Sequence, residues 1–178
     1  MTDSPRPPAE ASAWVVRFID RIPAAGRVLD VACGGGRHTR YLVGNGFRVE
    51  AVDRDPQAIA MLAGVPGVNA IVADIEAGPW PYAGLRFDGI VVANYLWRPL
   101  LPLLRASLSS GGVLIYETFA EGNERFGRPS NPEFLLQPGE LLRATAGLRV
   151  IAYEDIYVDQ PSPAMIQRIC AIDMGGGA

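Results

Sequence analysis

Val28-Leu29-Asp30-Val31-Ala32-Cys33-Gly34-Gly35-Gly36-Arg37 is the stretch on which the fold turns. An apolar run with strand character passes into three glycines, and helical spacing begins at once behind them. Glycines at such a bend let the chain turn sharply and let a ligand lie against bare backbone, because no Cβ intervenes. The dinucleotide fingerprint G-x-G-x-x-G asks for a third glycine three positions after Gly36, and Thr39 stands there instead. Asp30, an acid within the strand, is equally out of place beside a pyrophosphate. It suits a ligand that carries a cation or an ammonium group.

Six more short, Val/Ile-rich runs accompany the one at Arg27–Ala32. They are Arg48–Val52, Asn69–Ala73, Phe87–Ala93, Gly112–Thr118, Leu148–Ile156 and Met165–Ile172. The first five of the seven are almost continuously apolar, as strands buried on both faces are. Helical spacing marks Trp14–Ile22 and residues 37–44, 56–63, about 97–107 and 138–145, with Gly147 placed to end the last. The link 75–86 carries Gly78, Pro79, Pro81 and Gly84 and reads as loop. Strand–helix alternation predicts parallel βαβ units. Only about eight residues separate the last two runs, too few for a crossover helix, so they are expected to pair antiparallel. The predicted fold is therefore α/β: a doubly wound, mostly parallel, seven-stranded Rossmann-like sheet with a C-terminal antiparallel hairpin. Residues 1–178 are expected to form one domain, with loose ends at 1–11 and 175–178. The insert 119–138 is long enough to serve as a lid.

Composition narrows the function. The net charge is −3, and the sixteen basic residues, all Arg, are scattered. A general nucleic-acid binder shows a basic stripe instead, so no nucleic-acid partner is expected. Cys33 and Cys170 are far apart and His38 stands alone, which leaves no zinc-ligand spacing and no expected metal. The polar, Pro-rich start from Met1 to Ala11 is unlike a signal peptide. The longest apolar stretch, Ile90 to Leu104, is broken by Asn94, Arg98, Pro99 and Pro102 and is too short for a membrane span. A soluble, cytoplasmic protein is expected.

The motifs together resemble the class I S-adenosylmethionine (SAM) dependent methyltransferases. Leu29-Asp30-Val31-Ala32-Cys33-Gly34-Gly35-Gly36 matches that family's first-strand pattern. Asp53 matches its second-strand acid, and Asp74 the acid after the third strand. Phe87-Asp88-Gly89-Ile90-Val91-Val92-Ala93-Asn94 and Gly111-Gly112-Val113-Leu114-Ile115 match its fourth and fifth strands. The resemblance spans about residues 24–175. The stretch Pro132-Glu133-Phe134-Leu135-Leu136 to Gly139-Glu140-Leu141-Leu142 further resembles the tellurite-resistance methyltransferase group.

The resemblance implies SAM as cofactor and a set of residues that hold it. Asp53 would accept the ribose hydroxyls, with helix capping as its ordinary alternative. Asp74, with Ile75, would meet the adenine, unless Asp74 is a turn acid. Asp30 would hold the SAM ammonium, directly or through water, or else brace the glycine turn. Ala32, Gly34, Gly36, Arg54 and Asn94 complete the cofactor set, and Arg37 would pair with the SAM carboxylate or with a surface acid. His38 is either a catalytic base or a local hydrogen-bonding group; no catalytic residue is assigned. Tyr95, Trp97, Arg98, Tyr116 and Glu117 are the candidate acceptor contacts. Phe119, Glu121, Asn123, Glu124 and Arg125 are further candidates.

The implied activity is methyl transfer to a small-molecule acceptor. With no base evident, a soft chalcogen or thiol nucleophile is the acceptor type this reading favours. A protein or RNA methyltransferase, and a SAM-binding partner subunit without chemistry, are the alternatives.

Overall fold

The computed structural model describes residues 10–175. The expectation of loose ends falls mostly on residues 1–9 and 176–178, outside the described residues. Seven strands form one sheet: β1 (Arg27–Val31), β2 (Arg48–Asp53), β3 (Val68–Val72), β4 (Phe87–Ala93), β5 (Leu108–Phe119), β6 (Arg149–Val158) and β7 (Ala164–Ile172). Their spatial order is β3-β2-β1-β4-β5-β7-β6. The first five run parallel, and β7 is antiparallel to both β5 and β6. The doubly wound sheet with its terminal hairpin is the predicted one.

Neighbouring side chains on one strand divide between two cores, which is why these runs contain so few polar residues. Leu29, Val31, Ile90, Val92, Leu114 and Tyr116 belong to one core. Their alternates Val28, Val91, Val113 and Ile115 belong to the other. Helices α4 (Leu100–Ala106) and α5 (Glu140–Ala144) contribute Leu100, Leu104 and Leu141 to the first core. Helices α1 (Ala13–Phe18) and α2 (Arg37–Gly44) contribute Trp14, Val15, Phe18 and Leu42 to the second. The Ser12 side chain caps α1 by accepting from the Val15 amide, and Trp14 Nε1 donates to the Ile169 carbonyl on β7. Gly89 lets the second layer approach closely, since a Cβ there would sit 2.6 Å from Ile22 Cδ1.

The helical segments are shorter than their sequence patterns. Helix α3 covers Pro56–Ala60 rather than 56–63, continuing as turns. Helix α4 starts at Leu100 because Pro99 occupies its N-cap. Strand β5 starts at Leu108, four residues before Gly112. The link 75–86 is turns and loop as expected. The insert 119–138 is closed at its base by a bridge between Ala120 and Leu136 and holds two 3-10 turns, Asn123–Arg125 and Pro132–Phe134.

Candidate functional site

Strand order reverses at β1, whose neighbours β2 and β4 lead to opposite halves of the sheet. A crevice opens at the carboxyl ends of the strands at such a point. Ala32, just past β1, and Asn94, just past β4, both adopt the left-handed conformation, with φ of 51° and 56°. That conformation costs an L-residue about 1–2 kcal/mol, and Asn tolerates it better than Ala. Backbone strain of this kind gathers at functional sites. Both residues line a cavity of about 390 Å³ on one side and a wider recess on the other.

The glycine turn lines the wider recess. A Cβ on Gly34 would meet nothing within 4 Å, so its open side faces free space. Gly36, at φ 78°, leaves no such room: a Cβ there would run into the Leu62 side chain. The exposed Arg40 staples the turn in place, donating from Nη1 to the Gly35 carbonyl at 2.5 Å and from Nη2 to the Met61 carbonyl at 2.6 Å. Sequence reasoning did not find that role. Arg37 opens α2 on the recess side and donates to the Glu10 carbonyl at 3.4 Å.

Two carboxylates stand on the cavity wall next to this turn. Asp53 Oδ2 accepts from the Gly34 amide at 2.8 Å, and its Oδ1 accepts from the Asp55 amide at 2.9 Å. The second-strand acid and the glycine turn are thereby one bonded unit. Capping of α3 falls to Asp55, whose Oδ1 accepts from the Gln57 amide. Asp74 is exposed, and its Oδ1 accepts from the amides of Ala77 at 3.1 Å and Glu76 at 2.9 Å. Those two N–H groups, with Arg54 adding charge, hold its carboxyl below the usual carboxylate range. Arg54 and Ile75 share the wall.

Tyr95 and Leu96 close the cavity from the end of β4. The Tyr95 hydroxyl donates to Glu76 Oε1 at 2.9 Å, and burial together with that acid pushes the phenol pKa up. Thr118 and Phe119 enter from β5, and Pro129 and Phe134 from the insert.

Several expected contacts lie elsewhere. Asp30 is only 1 % exposed and does not line the cavity; it accepts from the Thr39 hydroxyl at 2.6 Å. Burial pushes its pKa up to about 7 against the opposing pull of Thr39. Through the bond to Thr39 it braces the start of α2. His38, 4 % exposed, accepts from the Ser12 amide at Nε2, and burial, with Arg37 nearby, lowers its pKa to about 4. That bond pins the start of α1, the local hydrogen-bonding role that the sequence also offered for it.

Tyr116 is fully buried and donates to the Tyr95 carbonyl at 2.7 Å, so it supports the β4 tip from below without reaching the cavity. Glu117 does not line the cavity; Thr118 and Phe119 are the β5 residues on its wall. Trp97 packs against the core. Arg98 is bonded to Glu140 through Nε at 2.7 Å and Nη2 at 3.0 Å, and to the Glu133 and Leu135 carbonyls at 2.8 and 2.9 Å. Asn123 is buried as a brace between the Pro129 carbonyl and the Met165 amide. Glu121, Glu124 and Arg125 do not line the cavity.

Glu76, Leu96, Thr118, Pro129 and Phe134 line it without having been foreseen. For Phe134 a signal was available: Asn131-Pro132 starts a short turn, and the Asn131 side chain accepts from the Glu133 amide at 3.0 Å.

Comparison with known proteins is consistent with this geometry. The profile of a methyltransferase domain family matches residues 28–112. The ribosomal RNA small subunit methyltransferase H of Gemmatimonas aurantiaca is 32 % identical over 144 residues, covering 79 % of this chain and 44 % of the relative. The malonyl-[acyl-carrier protein] O-methyltransferase of Enterobacter lignolyticus is 37 % identical over 109 residues, covering 56 % and 42 %. The chain thus spans less than half the length of these curated relatives. Among solved structures, TehB from Haemophilus influenzae superposes with a TM-score of 0.76 at 19 % identity, over 92 % of this chain and 62 % of that one. At that identity the likeness is one of fold.

Proposed function

We propose that the chain is a class I SAM-dependent methyltransferase that moves the methyl group of SAM onto a small-molecule acceptor; the methyltransferase-domain profile over residues 28–112 and the shared fold support this reading. The observation that carries this reading is the bond between Asp53 and the Gly34 amide, which joins the acid and the glycine bend into one seat. When bound, SAM supplies a methyl group on a sulfonium, already activated toward a nucleophile.

The residues on the wall suit that group. Asp53 has lone pairs left for two ribose hydroxyls after its two backbone bonds. Asp74 and Ile75 border the place for the adenine, and the Gly34 face leaves room for the amino-acid end, with Arg37 available to its carboxylate. Ala32 and Asn94 line both spaces, so they would border the methyl-bearing centre of bound SAM.

Small size of the acceptor is supported by the lining. Pro129 and Phe134 from the insert, with Phe119 and Leu96, line the cavity with apolar surface, which suits holding a small acceptor close to the methyl group. The relative from Gemmatimonas acts, by its name, on ribosomal RNA. On this chain the wall carries Asp53, Asp74 and Glu76, which repel a phosphate backbone.

Replacement of Asp53 tests the seat. Asp53→Ala weakens SAM binding by about 1.5–3 kcal/mol, the loss typical of hydrogen bonds to a charged group. That is roughly ten- to a hundred-fold in Kd by titration calorimetry. Unchanged affinity in a folded variant refutes the assignment.

A further inference from the structure

We infer that the acceptor carries an uncharged oxygen or nitrogen atom on an apolar body, and that the Thr118 hydroxyl selects it through a hydrogen bond to that atom. This deepens the methyl-transfer reading and rests on it.

The state of the Thr118 hydroxyl carries the inference. Thr118 is 3 % exposed and lines the cavity, yet its hydroxyl has no hydrogen bond to any described residue. Buried hydroxyls are costly to leave unbonded, and native structures seldom leave one so. Gln167 stands opposite Thr118 where β5 pairs with β7, but both protons on its Nε2 go elsewhere, to the Gln137 carbonyl and to Asp155. Among the described residues, the side-chain polar atom that is sealed in the interior without a partner is the Tyr82 hydroxyl. The Thr118 hydroxyl is unbonded but not sealed, and the cavity is the space it opens on.

Its position is that of an acceptor contact. The Asn94 amide donates to the Glu117 carbonyl at 2.9 Å, which sets Thr118 one strand over from Asn94. Asp53 ends β2 and Asp74 follows β3, on the other side of β1 and β4. The residues suited to the ribose and adenine thus occupy one half of the wall, and Thr118 the half beyond the methyl-bearing centre.

The chemistry of the partner follows from the surroundings. Phe119 adjoins Thr118, and Leu96, Pro129 and Phe134 add further apolar surface to the cavity. A hydroxyl both donates and accepts, so its partner needs no charge. An ion set among apolar side chains with only a hydroxyl beside it loses more hydration than one neutral bond returns. A molecule of the same shape without the hydrogen-bonding atom is disfavoured in turn, because it buries the Thr118 hydroxyl unpaired.

Phenol and toluene, which differ by a hydroxyl in place of a methyl, test the selection. The protein is saturated with S-adenosylhomocysteine and titrated with each by calorimetry. Thr118→Val keeps the shape of the side chain and is expected to shift the ratio of the two affinities about five-fold toward toluene, the worth of one neutral hydrogen bond. Thr118→Ser, which keeps the hydroxyl, is expected to keep the ratio. The ligand-free Thr118→Val protein is expected to melt at or above the temperature of the parent, since it loses no internal bond, whereas a structural hydroxyl would lower it. An unchanged ratio in Thr118→Val, the same shift in Thr118→Ser, a melting temperature lowered by more than about 3 °C, or no binding of either probe overturns the inference and leaves the methyl-transfer reading standing. Failure of S-adenosylhomocysteine itself to bind the parent overturns both.

Discussion

At the scale of single residues, Asp30 shows how one acid serves folding and carries a cost. It is buried against Thr39, and its raised pKa, about 7 against an ordinary 3.8, means that the native state holds its proton more tightly than the unfolded chain does. Stability therefore falls as pH rises from about 4 to about 7 on this group's account, and changes no further above that. Asp30→Asn removes the titration and keeps a polar partner for Thr39. The difference in melting temperature, variant minus parent, is expected to grow across that window and to level off above it, as circular dichroism melts at stepped pH will record. A flat difference means that Asp30 is already ionised in the fold. Which acid lay where was only partly legible from sequence. Asp53 and Asp74 sit at strand ends, where pattern alone fixes their rim. Glu117 and Thr118 are adjacent, and nothing in their sequence tells that Thr118 lines the cavity while Glu117 does not.

At the scale of elements, strands were more legible than helices. Burial on both faces leaves an uninterrupted apolar run, and few local alternatives explain one. The helices are short and owe their ends to particular groups such as Pro99, so periodicity overran them. Arg98 was misread for a related reason: its partners Glu133, Leu135 and Glu140 are distant in sequence, and nothing local announces them. It ties the start of α4 to the insert and to the first residue of α5, and so holds Phe134 over the cavity. Arg98→Met is expected to cost about 2–4 kcal/mol, because it leaves Glu140, only 14 % exposed in its side chain, without its ion partner. Urea unfolding will measure that loss, and limited proteolysis is expected to cut faster within 121–134. A stability within 0.5 kcal/mol of the parent (about the effect of an ordinary surface change) contradicts the clamp.

At the scale of the molecule, a ligand that binds only the folded state raises its stability by mass action. SAM or S-adenosylhomocysteine at about 100 times its Kd contributes about 2.7 kcal/mol, which for a chain of this size is a rise of about 5–10 °C in Tm. NAD is expected to give none, since Thr39 breaks the dinucleotide fingerprint. A shift with NAD and none with SAM reverses the assignment. The sheet order has an outcome of another kind, concerning synthesis on the ribosome. Strand β7 is the last of the seven to be made, yet it lies between β5 and β6. Until Ile172 clears the exit tunnel, β5 presents an open flank and β6 has nothing to pair with. The nascent chain must hold an incomplete sheet in waiting, and chaperone protection matters most until β7 has emerged.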